Sequence, residues 1–179
     1  MRMLLMGLLA ILFLFAVGVV AGAAGLLPRR QIYTEISIYA SAETVWEILV
    51  NFQEYPDWNP FIRRVSGEAS EGAQLNVTVQ PAGDDPMDFQ PTVLVAREHQ
   101  ELRWLGRLLV PGLFDGEHYF RIEEAAEGQV KFVHGEEFNG MLALLLWGIL
   151  EPGTKKGFEA MNLALKNRAE ISEAIKAGS

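Results

Sequence analysis

The sequence predicts an α+β fold in which a seven-stranded antiparallel sheet curves around a long C-terminal helix, preceded by one transmembrane helix. Three observations predict this fold. Residues 3–27 contain no charged side chain, residues 31–138 give seven strand-like runs, and residues 154–176 have the periodicity of one long amphipathic helix. The links between the runs are short, which favours antiparallel pairing because parallel strands need long crossover connections.

The N-terminal segment is predicted to be a membrane anchor. Its 25 uncharged residues would form a helix of about 38 Å, longer than the hydrocarbon core of about 30 Å. A cleaved signal peptide is the alternative, since Arg2 precedes the run and residues 21–23 are small. The apolar run over residues 4–20 exceeds the usual signal-peptide core of about 7–15 residues, which favours the anchor. Arg2 and the terminal amine balance Arg29 and Arg30, so the membrane side of the domain stays open.

One domain follows the anchor. A chain of 179 residues has room for one domain of ordinary size beside such a segment. We therefore divide the sequence into an anchor over residues 1–27, a linker over residues 28–30 and a domain over residues 31–176. If the anchor is not cleaved, the protein is a single-pass membrane protein; if it is cleaved, the domain is exported.

The domain is predicted to begin with a strand and a short helix. Residues 31–39 alternate isoleucine with polar neighbours, which is typical of a strand. Ser41 precedes apolar residues at helical spacing and suits an N-cap, so a helix is predicted from there to about Asn51. Pro56 and Pro60 prevent its continuation, because proline lacks the backbone donor and disfavours helical conformation in the preceding residue.

Six further strands are predicted before residue 139. Each run is rich in strand-forming residues and is bounded by turn residues such as glycine, proline and aspartate. The runs cover residues 61–66, 74–80, 87–98, 101–107, 116–124 and 129–138.

The last third of the chain is predicted to be helical. Residues 141–150 carry no charge and are predicted to form a short buried helix; the alternative is a membrane-facing flap through which a ligand would pass from bilayer to cavity. Thr154 is predicted to cap a final helix that ends near Lys176. The apolar residues of this helix share one face, which would be buried along its length.

Composition excludes several classes of function. The formal net charge is −8, and after residue 27 the chain carries 14 basic and 23 acidic residues, because Arg2 is the only charged side chain before Arg29. Such a domain repels phosphate backbones, so no nucleic-acid partner is expected. The chain has no cysteine, which excludes disulfides and thiolate chemistry. Neither a phosphate-binding glycine loop nor a zinc-protease helix is present, and no cofactor is expected.

Several short sequences support this order of elements. They are AETVWEIL at residues 42–49, YPDWNPF at 55–61, PTVL at 91–94, LRWLG at 102–106, LFDGEH at 113–118, GFEAMN at 157–162 and LK at 165–166. Together they resemble the START-like superfamily, also called helix-grip or SRPBCC, and particularly its polyketide cyclase/dehydrase-like branch. The resemblance covers nearly all of residues 31–175. It implies a seven-stranded sheet around the C-terminal helix with an apolar cavity, but it implies no single chemistry, because the fold hosts transfer proteins and enzymes alike.

The hairpin over residues 116–138 carries the best candidate site. If its turn lies at residues 127–128, antiparallel pairing places the even-numbered residues of both strands on one face. His118, His134 and Glu136 would then gather at the end far from the turn. They could orient the head of a ligand or transfer a proton; alternatively, they are hydrogen-bonded groups at a partly solvated cavity mouth, which is the favoured reading. Their spacing matches no recognised metal motif, and no metal is expected.

An apolar cavity between sheet and final helix is predicted from these patterns and from the resemblance. Its predicted lining contains the large residues of the inward faces and the three polar residues of the hairpin. Asn162 is predicted to add a polar group to this lining. The full set is Phe89, Trp104, His118, Phe120, Phe132, His134, Glu136, Phe158, Met161, Asn162 and Leu165.

The favoured function is a membrane-anchored binding protein for a hydrophobic small molecule such as a lipid, an isoprenoid or an aromatic compound. Its expected partners are that molecule and the bilayer, which it would contact through residues 3–27. Whether a reaction is catalysed stays open, with binding alone favoured and no catalytic residue assigned. The alternatives are a cyclase/dehydratase-type enzyme acting on a polyketide-like substrate and a non-catalytic protein-interaction module at the membrane.

Overall fold

The fold consists of four α-helices and eight β-strands in residues 2–81, 83 and 85–178, which are the residues that our computed structural model describes. The helices are α1 Arg2–Ala23, α2 Ala42–Val50, α3 Tyr55–Trp58 and α4 Met141–Ala177. The strands are β1 Arg30–Ile38, β2 Ile62–Ser66, β3 Asn76–Val79, β4 Met87–Phe89, β5 Thr92–Arg97, β6 Glu101–Arg107, β7 Asp115–Ala126 and β8 Gln129–Asn139.

The strands form two antiparallel sheets, so the expectation of one seven-stranded sheet is corrected. Five strands pair in the order β1-β8-β7-β6-β5, and three pair in the order β2-β3-β4. The difference arises because the strand predicted over residues 87–98 is two strands that belong to different sheets. Pro91 lies between them and has no backbone N–H to donate, so the regular ladder is interrupted there. The Pro91 carbonyl still accepts a hydrogen bond from the Leu75 backbone, and an isolated bridge joins Gln74 to Thr92. The α+β class and the long C-terminal helix are confirmed.

Local capping explains the first helical segment. The Ser41 side chain accepts a hydrogen bond from the Thr44 backbone at 3.2 Å, as expected for the N-cap of α2. The helix ends at Asn51, where it was predicted to end. A 3-10 turn at Phe52–Glu54 and the single turn α3 follow it. Pro56 lies in the first turn of α3. Backbone N–H groups in a first turn have no partner within the helix, so the missing N–H of proline costs no helical hydrogen bond.

The last two predicted helical segments are one helix. Helix α4 runs for 37 residues from Met141 and contains Pro152 in its interior, so Thr154 is a buried residue of the helix rather than its cap. An interior proline costs a helix one hydrogen bond, about 3 kcal/mol. Packing on both sides of the proline offsets this cost: Ala143 is buried before it, and Phe158 and Met161 after it.

The main core lies between the five-stranded sheet and the second half of α4. Large apolar side chains from both layers are buried there, and the Phe120 and Phe132 rings stack at 6.0 Å. These side chains leave at most 2% of their surface exposed: Ile32, Leu102, Phe120, Phe132, Phe158, Met161 and Leu165. The close packing fills the region between sheet and helix, where the sequence predicts a cavity.

Helix α1 is apolar and largely exposed. Over Leu5–Ala23 it has a mean hydropathy of 2.7 and is long enough to cross a membrane. A signal sequence has the same length and composition, so α1 is a candidate span. Its last turn packs on the domain, where the Asn139 side chain donates a hydrogen bond to the Gly22 carbonyl at 3.0 Å.

Candidate ligand cavity

A mainly apolar cavity lies between the three-stranded sheet, the inner face of β6 to β8 and the middle of α4. The empty space between its side chains, including the open mouth, measures about 750 Å³, of which about 100 Å³ is available to the centres of water-sized molecules. Its wall is formed by Phe61, Ile62, Val77, Val79, Pro81, Met87, Phe89, Pro91, Trp104, Gly106, Arg107, Leu108, Phe114, Gly116, His118, Glu136, Phe138, Leu150 and Thr154. Glu136 and His118 supply the polar groups at its inner end.

Four of the eleven residues predicted to line a cavity lie in this wall. They are Phe89, Trp104, His118 and Glu136. The other seven do not line it and belong to the packed region behind it: Phe120, Phe132, His134, Phe158, Met161, Asn162 and Leu165. The role of any of these residues in binding a ligand stays a prediction.

The hairpin of β7 and β8 brings the candidate polar residues together as the alternation of the sequence predicts. In the register of the two strands, His118 pairs with Glu136 and Phe120 pairs with His134. The turn lies at residues 127–128, and the polar residues lie towards the opposite end of the hairpin. His118 and His134 are buried at 5% and 0% exposure, while the Glu136 side chain retains 17% of its surface where it faces the cavity.

A chain of close polar contacts leads from the cavity into the core. Glu136 Oε2 lies 3.3 Å from His118 Nδ1, and His118 Nε2 lies 2.8 Å from His134 Nε2. His134 Nδ1 lies 2.9 Å from Asn162 Oδ1. The Asn162 amide nitrogen donates to Thr34 Oγ1 at 2.9 Å, and the Thr34 hydroxyl donates to the His134 carbonyl at 3.0 Å.

Chemistry fixes the direction of the hydrogen bonds in this chain. Asn162 Oδ1 can only accept, and His134 also bonds the Phe158 carbonyl, so the proton of a neutral His134 is on Nδ1. His134 Nε2 is then an acceptor, and His118 must donate to it through Nε2–H. This leaves His118 Nδ1 as a bare acceptor facing Glu136. A protonated Glu136 can complete the chain by donating to that acceptor, which lies 3.3 Å from its Oε2.

Burial favours the neutral form of all three titratable groups. Desolvation lowers the pKa of His118 to about 3 and lowers the pKa of His134 well below 6.5, with the charge of His118 as a further cause for His134. Desolvation raises the pKa of Glu136 to about 8. The contact between His118 and Glu136 is therefore a neutral acid beside a neutral imidazole at pH 7, and not an ion pair. An acid of this kind can donate a hydrogen bond to a ligand oxygen.

Gly116 makes room for the Glu136 carboxyl group. It lies in β7 two residues before His118, and a Cβ atom at this position would collide with Glu136 Oε1. Gly106, its partner on β6, also lines the cavity, but a Cβ there would meet only the Gly116 carbonyl oxygen at 3.8 Å. The absence of a side chain at Gly116 thus positions the acid at the inner end of the cavity.

A metal site is not formed by these residues. Within residues 2–81, 83 and 85–178, no group of three or more His, Cys, Asp or Glu side chains is placed to hold a metal ion. Both nitrogens of His134 and one nitrogen of His118 are engaged in the polar chain. The remaining polar atoms of the site can donate and accept hydrogen bonds.

Sequence reasoning missed most of the cavity wall. Phe138 continues the alternation of His134 and Glu136 on β8, and this signal could have found it. Val77 and Val79 come from the three-stranded sheet and Phe61 directly precedes it, and the sequence does not reveal that this sheet is separate from the larger one. The contribution of Leu150 and Thr154 depends on the continuity of α4 through its proline, against which local sequence signals argue.

Comparison with known proteins gives a family match and several similar folds. The family model described as "Polyketide cyclase / dehydrase and lipid transport" matches residues 29–170. None of the curated proteins matches the chain significantly in sequence. The Zhui aromatase/cyclase from Streptomyces sp. R1128 is 18% identical, with a TM-score of 0.62 over 80% of this chain and 94% of that chain.

Two further solved structures have the same fold. A START superfamily protein from Mycobacterium smegmatis is 20% identical, with a TM-score of 0.56 over 82% of this chain and 98% of that one. The di-domain aromatase/cyclase BexL from the BE-7585A biosynthetic pathway is 13% identical, with a TM-score of 0.63 over 79% of this chain. This chain spans half the length of BexL. At these identities the similarity shows the fold alone.

Proposed function

Since the chain belongs to the polyketide cyclase/dehydrase and lipid transport family, we propose that it is a membrane-anchored binding protein for a hydrophobic small molecule. The molecule is of the lipid, isoprenoid or aromatic class and carries an oxygen atom that accepts a hydrogen bond. It binds in the cavity between the two sheets and α4.

The observation that carries this proposal is the contrast between the cavity's apolar wall and its polar inner end. Side chains such as Phe89, Trp104 and Phe138 would remove an apolar ligand body from water, worth about 25 cal/mol for each Å² that is buried. At the inner end, the protonated Glu136 would turn its O–H from His118 Nδ1 to a hydroxyl or carbonyl oxygen of the ligand, and a ligand hydroxyl would then donate to His118 Nδ1 in its place. A few fixed polar groups in an apolar wall are typical of small-molecule sites.

The anchored state is supported by the packing of α1. The alternative of a cleaved signal peptide would cut the chain near residues 21–23, where Gly22 is buried against Gly112. The hydrogen bond from Asn139 to Gly22 holds the same turn. A helix of this length and hydropathy that stays attached to the domain would hold it at the bilayer, where hydrophobic ligands are concentrated.

Native mass spectrometry of the full chain, gently extracted from membranes, tests the binding function. We expect a discrete co-purifying molecule that organic extraction releases unchanged. Val79→Phe, which adds volume inside the cavity, should abolish co-purification, because Val79 lines the wall. Thr78→Phe is the matched control: Thr78 is the neighbouring residue of β3, bonds Asp88 and does not line the cavity.

Two results would contradict binding in this cavity. One is a chain that is always recovered at its bare mass. The other is a ligand that remains bound in Val79→Phe, which would mean that it lies elsewhere.

Catalysis of the cyclase/dehydratase type is the second candidate, and the pairing of Glu136 with His118 favours it. In such a dehydration, Glu136 would give its proton to the hydroxyl group of the substrate, which leaves as water. His118 Nδ1 would take the proton from the adjacent carbon, and a carbon–carbon double bond forms. Transfer of that proton from His118 back to Glu136 across their 3.3 Å contact restores both groups.

Glu136→Gln separates the two functions. The amide keeps a hydrogen-bond donor of the same size but cannot transfer a proton. Binding alone predicts that the purified variant retains its ligand, chemically unchanged, with only a small loss of affinity. Catalysis predicts that the variant accumulates an intact hydroxylated substrate, whereas the unmodified protein carries the dehydrated product.

A further inference from the structure

Three segments without charge meet at one end of the molecule. They are residues 3–28, which include all of α1 except Arg2, residues 108–114 between β6 and β7, and residues 138–150, which include the first part of α4. Their exposed apolar side chains form a continuous region that we name the apolar rim. It consists of Leu108, Leu109, Val110, Leu145, Leu146 and Ile149, which are between 44% and 83% exposed.

The loop of the rim is fixed by hydrogen bonds and holds its apolar side chains outward. The Leu108 backbone donates to the Phe114 carbonyl at 3.0 Å, and the Gly112 backbone donates to the Asp115 carboxylate at 3.0 Å. Leu109 adopts a left-handed backbone conformation with φ of 60°, uncommon for a residue with a branched apolar side chain, and is 83% exposed. Strained backbone is typical of functional sites, and exposed apolar patches are typical of protein or membrane interaction sites.

Contacts with α1 set the depth of the rim. The backbone of Gly112 lies against Val19, Gly22 and Ala23, and Met141 lies against Gly18. All four of these α1 residues belong to the candidate span Leu5–Ala23. Val19 is four residues from the end of that span, which is about 6 Å along the helix. If Ala23 lies at the surface of a bilayer, these contacts place the rim loop about 6 Å below it, within the depth of about 5–10 Å that apolar faces reach when they insert at a bilayer surface.

Polar groups at the edge of the rim fit the same orientation. The Arg30 guanidinium lies over the Trp147 ring at 5.7 Å from its centre. Tryptophan and arginine are typical of the headgroup level of membranes. Lys155 and Lys156, which are exposed, follow within about two turns of α4.

We propose that the lipid bilayer covers the apolar rim, so that the cavity opens into the membrane rather than into water. Leu108 belongs to both the rim and the cavity wall, and Leu150 lines the cavity one residue after Ile149. The proposal deepens the proposed function by naming the bilayer as the source of the ligand, and it rests on α1 being a retained membrane span. In this proposal the membrane-facing region is a fixed surface, whereas the alternative drawn from the sequence was a flap over residues 141–150.

Depth-dependent quenching tests the rim without any ligand. The chain contains no cysteine, so Leu109→Cys and Ile149→Cys each provide one labelling site for an environment-sensitive fluorophore. Glu127→Cys is the control, because it lies in the β7–β8 turn, about 36 Å along the strand from the end of β7 that adjoins the rim. The full chain is reconstituted in phosphatidylcholine vesicles.

We expect nitroxides on the lipid acyl chains to quench the labels at positions 109 and 149, and aqueous iodide to leave them unquenched. The label at position 127 should behave in the opposite way. Iodide quenching at 109 and 149 equal to that at 127 would overturn the proposal.

A second pair of variants tests whether docking on α1 sets the depth. Gly22→Leu would collide with the Gly112 backbone, whereas Gly7→Leu adds the same side chain to the same helix where nothing lies within 4 Å. Combined with Leu109→Cys, Gly22→Leu should expose the label to iodide and Gly7→Leu should not. Equal shielding in both would show that α1 does not hold the rim in place and would overturn the inference drawn from these contacts.

Alkaline extraction of the vesicles separates this proposal from the function on which it rests. Shielded labels in a protein that is recovered at its bare mass would support membrane contact of the rim and contradict the ligand-binding function. Exposed labels in a chain that resists extraction and carries a ligand would contradict membrane contact of the rim alone. Release of the chain by alkali would contradict the anchor and, with it, the membrane contact of the rim.

Discussion

A carboxylic acid that keeps its proton near neutral pH can donate a hydrogen bond where a carboxylate could only accept one. Glu136 reaches this state because it is largely desolvated and faces the bare nitrogen of His118. His118 in turn is held in one tautomer by His134, which is fixed by Asn162. The Glu136 proton that we propose binds the ligand therefore depends on His134 and Asn162, which do not line the cavity.

The first prediction concerns the pH dependence of stability. The pKa of Glu136 is about 8 in the folded chain and 4.5 ordinarily, so between these values the folded chain holds a proton that the unfolded chain releases. The free energy of unfolding then falls as pH rises, by at most about 1.4 kcal/mol per pH unit. The lowered pKa values of His118 and His134 act in the opposite direction, and this effect fades over about one pH unit above 6.5 as the histidines of the unfolded chain lose their protons.

From pH 6.5 to 8 we thus expect Glu136 to cost the protein up to about 2 kcal/mol. Urea unfolding in detergent micelles at both pH values measures this cost, and the decrease should disappear in Glu136→Gln. The same decrease in both proteins would assign it to other groups.

The second prediction concerns Gly116. In Gly116→Ala the new methyl group displaces the Glu136 carboxyl from the inner end of the cavity, since the two collide. The pKa of Glu136, followed by infrared absorption of its carboxyl group, should fall towards its ordinary value. Gly106→Ala is the control, because its methyl group meets only ordinary contacts, and there the pKa should not change. An unchanged pKa in Gly116→Ala would mean that the acid adapts without leaving its place.

At the residue scale, the sequence predicted the polar cluster because strand alternation is a strong geometric constraint. Knowing the turn of the hairpin was enough to place His118, His134 and Glu136 on one face. It did not predict which side chain would face open space. His134 and Asn162 have the same polar character as Glu136, and only the packing of α4 determines that they lie in the core.

At the scale of elements, α4 joins the two halves of the site. Its first part forms the mouth of the cavity, and its second part covers the main core. The two parts are separated by Pro152, which is why the sequence predicts two helices. Tertiary packing overrides the local stop signal, just as Pro91 splits one predicted strand between two sheets.

The third prediction concerns the closest approach of α4 to the three-stranded sheet. A Cβ atom at Gly157 would collide with the Phe61 ring, which also packs edge-on against Phe158 at 5.4 Å. Gly157→Ala should therefore lower the free energy of unfolding by about 1–3 kcal/mol.

Gly148→Ala in the same helix is the control for this prediction. Nothing lies within 4 Å of a Cβ at Gly148, so its replacement should stabilise the helix by up to about 1 kcal/mol. Denaturant midpoints of the two variants would measure both effects. Equal midpoints would mean that Phe61 moves aside without cost.

At the scale of the whole molecule, charge and apolar surface are segregated. The domain is acidic, whereas residues 3–27 and the rim carry no charge. Attachment to a membrane would thus depend on apolar burial rather than on anionic lipid. The sequence predicted the span from its length, but it did not predict the rim, because the three uncharged segments become neighbours only in the folded chain.

The fourth prediction concerns processing of the chain. If α1 is a retained anchor, the protein purified from membranes should have an intact mass of about 19.9 kDa. The packing of Gly22 on the domain should keep a signal peptidase from residues 21–23. Intact-mass spectrometry decides this directly, and a form that begins near residue 24 would identify α1 as a signal peptide.

The contacts of the polar chain from Glu136 to Thr34 allow two opposite directions of hydrogen bonding. If Glu136 lost its proton, a carboxylate would face the bare nitrogen of His118, and relief of this repulsion would require both imidazoles and the Asn162 amide to reverse their polarity. The last reversal would turn the Thr34 hydroxyl away from the His134 carbonyl, where β1 meets β8. The Phe158 carbonyl opposes it, since it would lose its donor. Loss of one proton at the cavity would thereby change a hydrogen bond between β1 and β8, on the other side of the core.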